Sequence, residues 1–181
     1  MKSKKGDLLI KNVLIIGAPG TVGATVRKTL LGETDDFLTH FSRSAERLNI
    51  NPDRERIISG SVTNSLALDK AMKGQEVVFA ALSGNLAEFA RDIVVAMKRN
   101  DVQRRIFITS MGIYGEVLLS MGGTLEKVSP VLCSYREAAD VIEASDNYTI
   151  IRSGWVQLIM KLRIRTKNLA DMTFQSLQLP I

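Results

Sequence analysis

Three glycines, Gly17, Gly20 and Gly23, stand three residues apart in "KNVLIIGAPGTVGATVRKTLL", residues 11–31. An apolar run precedes them, and Val22, Val26 and Leu30 follow at helical spacing. Where a strand hands over to a helix, unpaired backbone N–H groups and the positive end of the helix dipole converge, which suits a phosphate. In that reading Gly17 makes the turn, Gly20 admits the phosphate where a Cβ would obstruct it, and Gly23 lets the helix pack close. Ala18, Pro19, Thr21 and Val22 complete the loop. The spacing is G-x-x-G-x-x-G rather than the commoner G-x-G-x-x-G, so a tight turn that binds nothing is the competing reading. A second clue lies in "HFSRS", where the next strand should end. NAD(H) binders carry a carboxylate there, about 20 residues past the glycines, to hold the ribose 2′-hydroxyl. This chain has Ser42 and Arg43. A guanidinium can pair bidentately with a 2′-phosphate, and the serine can donate to the same group. The pattern favours NADP(H) as cofactor, with NAD(H) as the alternative. Arg43 as a plain surface charge is the bland reading, and Arg47 is a weaker candidate for the same role.

The elements that would position these residues follow from periodicity. Strands are expected over 12–17, 37–43, 56–60, 76–84, 104–110 and 148–153. Helices are expected over 21–32 (stopping at Gly32), 63–74, 85–100 and 134–145. Strand and helix alternate, which implies a parallel sheet covered on both faces. The expected fold is α/β: a single-domain, Rossmann-type, doubly wound parallel sheet in the order 3-2-1-4-5-6.

Composition narrows the function classes. The 181 residues suit one core. One cysteine, Cys133, and one histidine, His40, exclude an intrachain disulfide and argue against a Cys/His metal site, so no metal is expected. No apolar run reaches the ~20 residues of a membrane span, and the N-terminal stretch lacks a cleavage signature. A cytoplasmic protein without membrane association is expected. The net charge of +5 sits at the ends: residues 1–11 and 155–181 each carry +3, and the stretch between carries −1. Nucleic-acid binding would need a basic face on the folded body, so no nucleic-acid partner is expected.

Taken together, "VLIIGAPGTVG", "FSRSAERL", "VVFAALSG", "RIFITSMGIYG" and "YTIIRSGW" resemble the NmrA-like, atypical short-chain dehydrogenase/reductases, including biliverdin reductase B-like and NAD(P)H-flavin reductase-like proteins. The resemblance covers residues 11–155, read as an NAD(P)-binding Rossmann domain. It implies that Ser61 and Val62 meet the adenine, although an aspartate is usual at the Ser61 position. It implies that Ala81, Leu82 and Ser83 border the adenine-side ribose, and that Thr109, Ser110 and Met111 approach the nicotinamide. Short-chain dehydrogenases use a serine and a Tyr-x-x-x-Lys motif in which the phenol moves the proton. The matching residues are Ser110 and Tyr135, but the lysine position holds Ala139. Tyr135 is thus a catalytic acid lacking its usual helper, or a packing aromatic. Ser110 is expected to orient substrate or nicotinamide. Tyr114 could line the pocket or pack.

Two functions fit these residues: an oxidoreductase that reduces a conjugated acceptor such as a flavin or quinone, or a non-catalytic NADP(H) redox sensor acting on a partner protein. The expected partner is accordingly a small-molecule substrate or a protein, and the chain is expected to be a monomer or homodimer. Residues 156–181 match no family motif and read as an atypical or truncated C-terminal segment, in which "LIMKLRIR" could form a sheet edge or a helix.

Overall fold

The computed structural model describes residues 11–115, 130–153 and 163–166. Apolar, β-branched runs form β1 (Asn12–Ile16), β2 (Phe37–Ser42), β3 (Glu55–Ser59), β4 (Val77–Ala80), β5 (Arg104–Ser110) and β6 (Tyr148–Ser153). They lie parallel in the order β3-β2-β1-β4-β5-β6, as expected. A seventh strand, β7 (Arg163–Thr166), pairs antiparallel with β6 through Ile151 and Ile164. It falls in the C-terminal segment and gives residues 163–165 of "LIMKLRIR" the sheet-edge option, while 158–162 lie outside the described residues.

The central strands are buried on both faces, the pattern of a covered parallel sheet. On one face Val13, Ile15, Leu38, Ile106 and Ile108 pack with Val26 and Leu30 of α1 (Thr21–Glu33). On the other, Leu14, Ile16, Phe41 and Phe107 meet α2 (Ser65–Met72), α3 (Leu86–Arg99) and α4 (Pro130–Glu143). β1 pairs with β2 on one side and β4 on the other. The order of connection therefore reverses at β1, and a crevice opens at its carboxyl end.

Several boundaries differ from the sequence reading. α1 runs through Gly32 to Glu33, where Thr34 caps it by bonding back to the Leu30 carbonyl. Gly74, by contrast, takes φ +75° just after the cap of α2 and ends that helix as expected. α2 starts at Ser65 rather than 63, capped by Asn64, whose Oδ1 accepts from Ala67 N–H at 3.1 Å. β4 stops at Ala80, so residues 81–84 form the loop over the crevice.

An ion network ties the β2–β3 wing to α1. Arg27 of α1 bonds both oxygens of Glu55, at 2.5 and 2.9 Å. His40 Nε2 lies 2.6 Å from the same carboxylate, and Asn51 N–H donates to it at 3.0 Å. Burial pushes the Glu55 carboxyl up, but bonds from Arg27, Asn51 and His40 outweigh it and hold the carboxyl at about 2. Burial lowers His40 from its ordinary value despite the carboxylate beside it. Among the described residues no helix is long and apolar enough to cross a membrane, and no group of three or more His, Cys, Asp or Glu could hold a metal.

Candidate functional site

The glycine turn follows β1 directly. Gly17 takes φ +88°, donates its N–H to the Phe41 carbonyl of β2 at 3.0 Å, and lies against the end of β4. A Cβ there would stand 2.0 Å from the Ala81 carbonyl oxygen. A Cβ on Gly23 would stand 2.3 Å from the Gly17 oxygen, so this glycine lets α1 close onto the turn rather than onto the strand. The fold itself demands both residues.

Gly20 is different. It is exposed, its φ is −72°, and a Cβ would meet only the Gly17 oxygen, at 3.3 Å. The backbone needs no glycine there, yet a side chain would fill the space in front of the first turn of α1. That turn has no side-chain cap and no acidic residue. The first bond within the helix runs from Ala24 N–H to the Gly20 carbonyl, at 2.8 Å. The N–H groups of Thr21, Val22 and Gly23 are those that an α-helix leaves without an intrahelical acceptor. A pyrophosphate placed there would be met by backbone donors; in the same turn Ala18 is buried and Pro19 half-buried.

The other residues expected on the adenosine side follow the carboxyl ends of β2, β3 and β4. At the end of β2 the Ser42 hydroxyl oxygen accepts from Ser44 N–H at 3.1 Å, which shapes a turn and leaves its proton available to a ligand. Arg43 is exposed on that turn and makes no ion pair among the described residues. Arg47 is exposed one 3-10 turn further on (Ala45–Arg47). After β3, Ser61 and Thr63 share a hydroxyl bond at 2.9 Å, while the Val62 side chain is buried among Phe41 and Leu68. A base lying on this loop would meet Ser61 and the Val62 backbone. Ala81 and Leu82 are half-buried and Ser83 exposed on the loop after β4.

The residues expected at the nicotinamide lie on β5, the loop after it and α4. Ser110 ends β5, and its hydroxyl donates to the Met111 carbonyl at 3.1 Å. Met111 N–H donates to Ser153 at the end of β6, 2.9 Å away. Thr109 is buried in the sheet one residue earlier. Tyr135 packs against the core on the inner side of α4, and Ala139, one turn on, is fully buried in that core. No cation stands at the position of the usual lysine. His40, the only histidine, is buried mid-strand on β2 and bonded to Glu55, away from Ser110.

Sequence reasoning did not find the cluster around Tyr114. Its hydroxyl donates to Glu143 at 2.6 Å, and the guanidinium groups of Arg136 and Arg152 lie 4.5 and 4.7 Å from its ring centre. Arg136 also bonds Asp140 and Glu143. The spacing of Arg136, Asp140 and Glu143 marks one helical face, a signal present in the sequence. Nothing local connects them to Tyr114 or Arg152.

Comparison with known proteins agrees with this geometry. A family described as NAD(P)H-binding matches residues 17–172, continuing into the C-terminal segment. A short-chain dehydrogenase/reductase from Veillonella parvula is 29% identical with a TM-score of 0.72, over 81% of this chain and 70% of its own. A Rossmann-fold NAD(P)-binding family protein from Shigella flexneri is 36% identical with a TM-score of 0.66, over 81% and 68%. A wide-type short-chain dehydrogenase/reductase from V. parvula, solved in complex with NADP, is 30% identical with a TM-score of 0.69, over 80% and 70%. From the crevice at β1 and the extent of these matches, the chain is a member of the NAD(P)H-binding family of Rossmann-fold proteins.

Proposed function

We propose that this chain is an NADP(H)-dependent oxidoreductase that reduces a conjugated acceptor such as a flavin or quinone. The observation that carries the cofactor choice is the end of β2: an exposed Arg43 beside the Ser42 hydroxyl, with no carboxylate at that strand end. A carboxylate there would accept a 2′-hydroxyl and repel a 2′-phosphate, and a guanidinium does the reverse. The NADP found with the V. parvula relative supports the same choice.

The acceptor class follows from the other side of the crevice. When bound, the reduced nicotinamide supplies the hydride. Reduction of a simple carbonyl needs a good acid beside the oxygen. Tyr135 is a poor one, because Ala139 stands where a lysine would assist its phenol. Arg136, its neighbour in sequence, is occupied by Asp140, Glu143 and the Tyr114 ring. A conjugated acceptor can draw its proton from water, so this site supports it without that acid. Ser110 then orients the acceptor or the nicotinamide, since no base activates its hydroxyl.

The second reading is a redox sensor that binds NADP(H) and signals to a protein. Ala139 in the lysine position favours it. The two readings separate when protein, NADPH and a panel of flavins, quinones and aldehydes are mixed and nicotinamide absorbance is followed. Consumption with flavin or quinone is expected. Tyr135→Phe is expected to slow it by less than the roughly 10²–10⁴-fold of a true general acid. NADPH binding without consumption would leave the sensor, and fast aldehyde reduction lost in Tyr135→Phe would restore Tyr135 as the acid.

A further inference from the structure

We propose that Tyr114 is a positioning residue for the nicotinamide end of the site: it fixes the loop after β5, and with it Ser110, against α4. The inference rests on the NADP(H) reading above and extends it to residues outside the crevice.

The chain from Ser110 to Tyr114 is short and bent. Gly112 and Gly115 flank the tyrosine at φ +94° and +81°, and Gly115 N–H closes the turn on the Gly112 carbonyl at 3.1 Å. One end of this segment is held by Met111 N–H on Ser153. The other end is held by the tyrosine ring, which α4 grips through Arg136 and β6 through Arg152. The phenol then reaches down α4 to Glu143. Both guanidinium groups are positioned for cation–π attraction. Arg136 also bridges to Glu143, so ring, hydroxyl, cation and carboxylate form a closed cycle. Arg136 directly follows Tyr135 in α4. Ser110 and Tyr135 therefore sit on two elements that the Tyr114 clamp holds in one relation.

Arg136 is paired with Asp140 and Glu143, and Arg152 lies over the Tyr114 ring. The clamp acts through the loop it holds. It lies at the β5–β6 side of the sheet, away from the Gly20 cradle and from Arg43 on the β2 side. Loosening it should leave the adenosine half of the cofactor untouched.

That separation gives the test, read by calorimetry with two ligands. NADPH spans both halves of the site, whereas adenosine 2′,5′-bisphosphate carries only the half that meets the cradle and Arg43. Tyr114→Leu keeps apolar bulk and removes the cation–π pairs and the phenol. It is expected to weaken NADPH by about tenfold, the scale of two such pairs, and to leave the bisphosphate within about twofold. Tyr114→Phe, which keeps both cation–π pairs, is expected to recover most of the NADPH affinity. Arg136→Gln alters one partner on the helix surface and should shift NADPH in the same direction by less, which keeps the test alive if the leucine variant fails to fold. Equal weakening of both ligands in Arg136→Gln or Tyr114→Leu would show a general effect on the fold and overturn the proposal. So would unchanged NADPH affinity in both. If the unaltered chain bound the bisphosphate no better than adenosine 5′-phosphate, the NADP(H) reading itself would fail, separately from the clamp.

Discussion

The candidate site draws on backbone at its β1 end and on side chains, some of them outside the crevice, at its β5 end. Gly17, Gly20 and Gly23 act within one turn and the helix it opens, and their roles rest on the absence of a Cβ. Ser110, Tyr114, Tyr135, Arg136 and Arg152 come from β5, its following loop, α4 and β6, and their arrangement depends on how those elements pack. A site that holds phosphate by N–H groups needs only a local chain path. A site that orients a reacting ring needs groups placed from several directions. The first kind is robust and shared by many chemistries, and the second decides which chemistry occurs.

The sharpest break would come at Gly17. Tyrosine-sized changes are unnecessary: Gly17→Val places a side chain 2.0 Å from the Ala81 oxygen at a φ of +88°. A loss of about 3 kcal/mol or more is expected from overpacking and backbone strain together, seen as a collapse of the denaturant midpoint. Acid should act next, on the β2–β3 wing. The Glu55 carboxyl, ordinarily at 4.5, lies at about 2 in the folded chain. Its contribution is present above its unfolded value and is lost as pH falls through the folded one, about 3 kcal/mol in all. Burial lowers His40, so below about 6.5 the unfolded chain takes up a proton that the folded one does not, which adds a loss of the same sign at the start of the descent. Thermal melts from pH 7 to 2 should show both, and Glu55→Gln should start lower and flatten the acid limb.

Gly20→Val tests the cradle without the fold. The chain should stay folded by circular dichroism and bind NADPH at least about a hundredfold more weakly, the scale of losing two charge-assisted bonds. Normal binding would make the turn purely structural. The smallest effect belongs to Arg43→Ala, which should weaken NADPH by about tenfold to a hundredfold and leave NADH nearly unchanged. Equal losses for both cofactors would remove the 2′-phosphate role.

The same contrast explains what the sequence made legible. Strand order, the switch at β1 and the glycine turn follow from local periodicity and spacing, and the structure has them in place. Gly32 misled because a glycine that ends a helix and one inside it look alike without the packing, and here Thr34 supplied the stop. β7 was ambiguous because four residues of "RIRT" carry no period that separates an edge strand from a helix. The Glu55 network and the Tyr114 clamp were invisible because each joins residues whose proximity only the crossovers create. Val62 could be placed on its loop from sequence, but not the burial of its side chain.

The position of the turn at the switch point also reaches into how the chain folds. Asn12 is in register with Phe37 and Val13 with Val77, so β1 receives its two neighbours on opposite sides, both from later in the chain. The turn is completed only when both have arrived: Gly17 N–H needs the Phe41 carbonyl of β2, and Gly17 itself rests on Ala81 beyond β4. A dinucleotide held there discriminates against every form in which either wing is undocked. At a hundred times its Kd it would add about 2.7 kcal/mol to global stability, and it would suppress partial openings of both wings, including the one distant from the phosphate. Resistance to proteolysis would then follow the supply of the dinucleotide, so that the abundance of this protein would be coupled to that nucleotide pool.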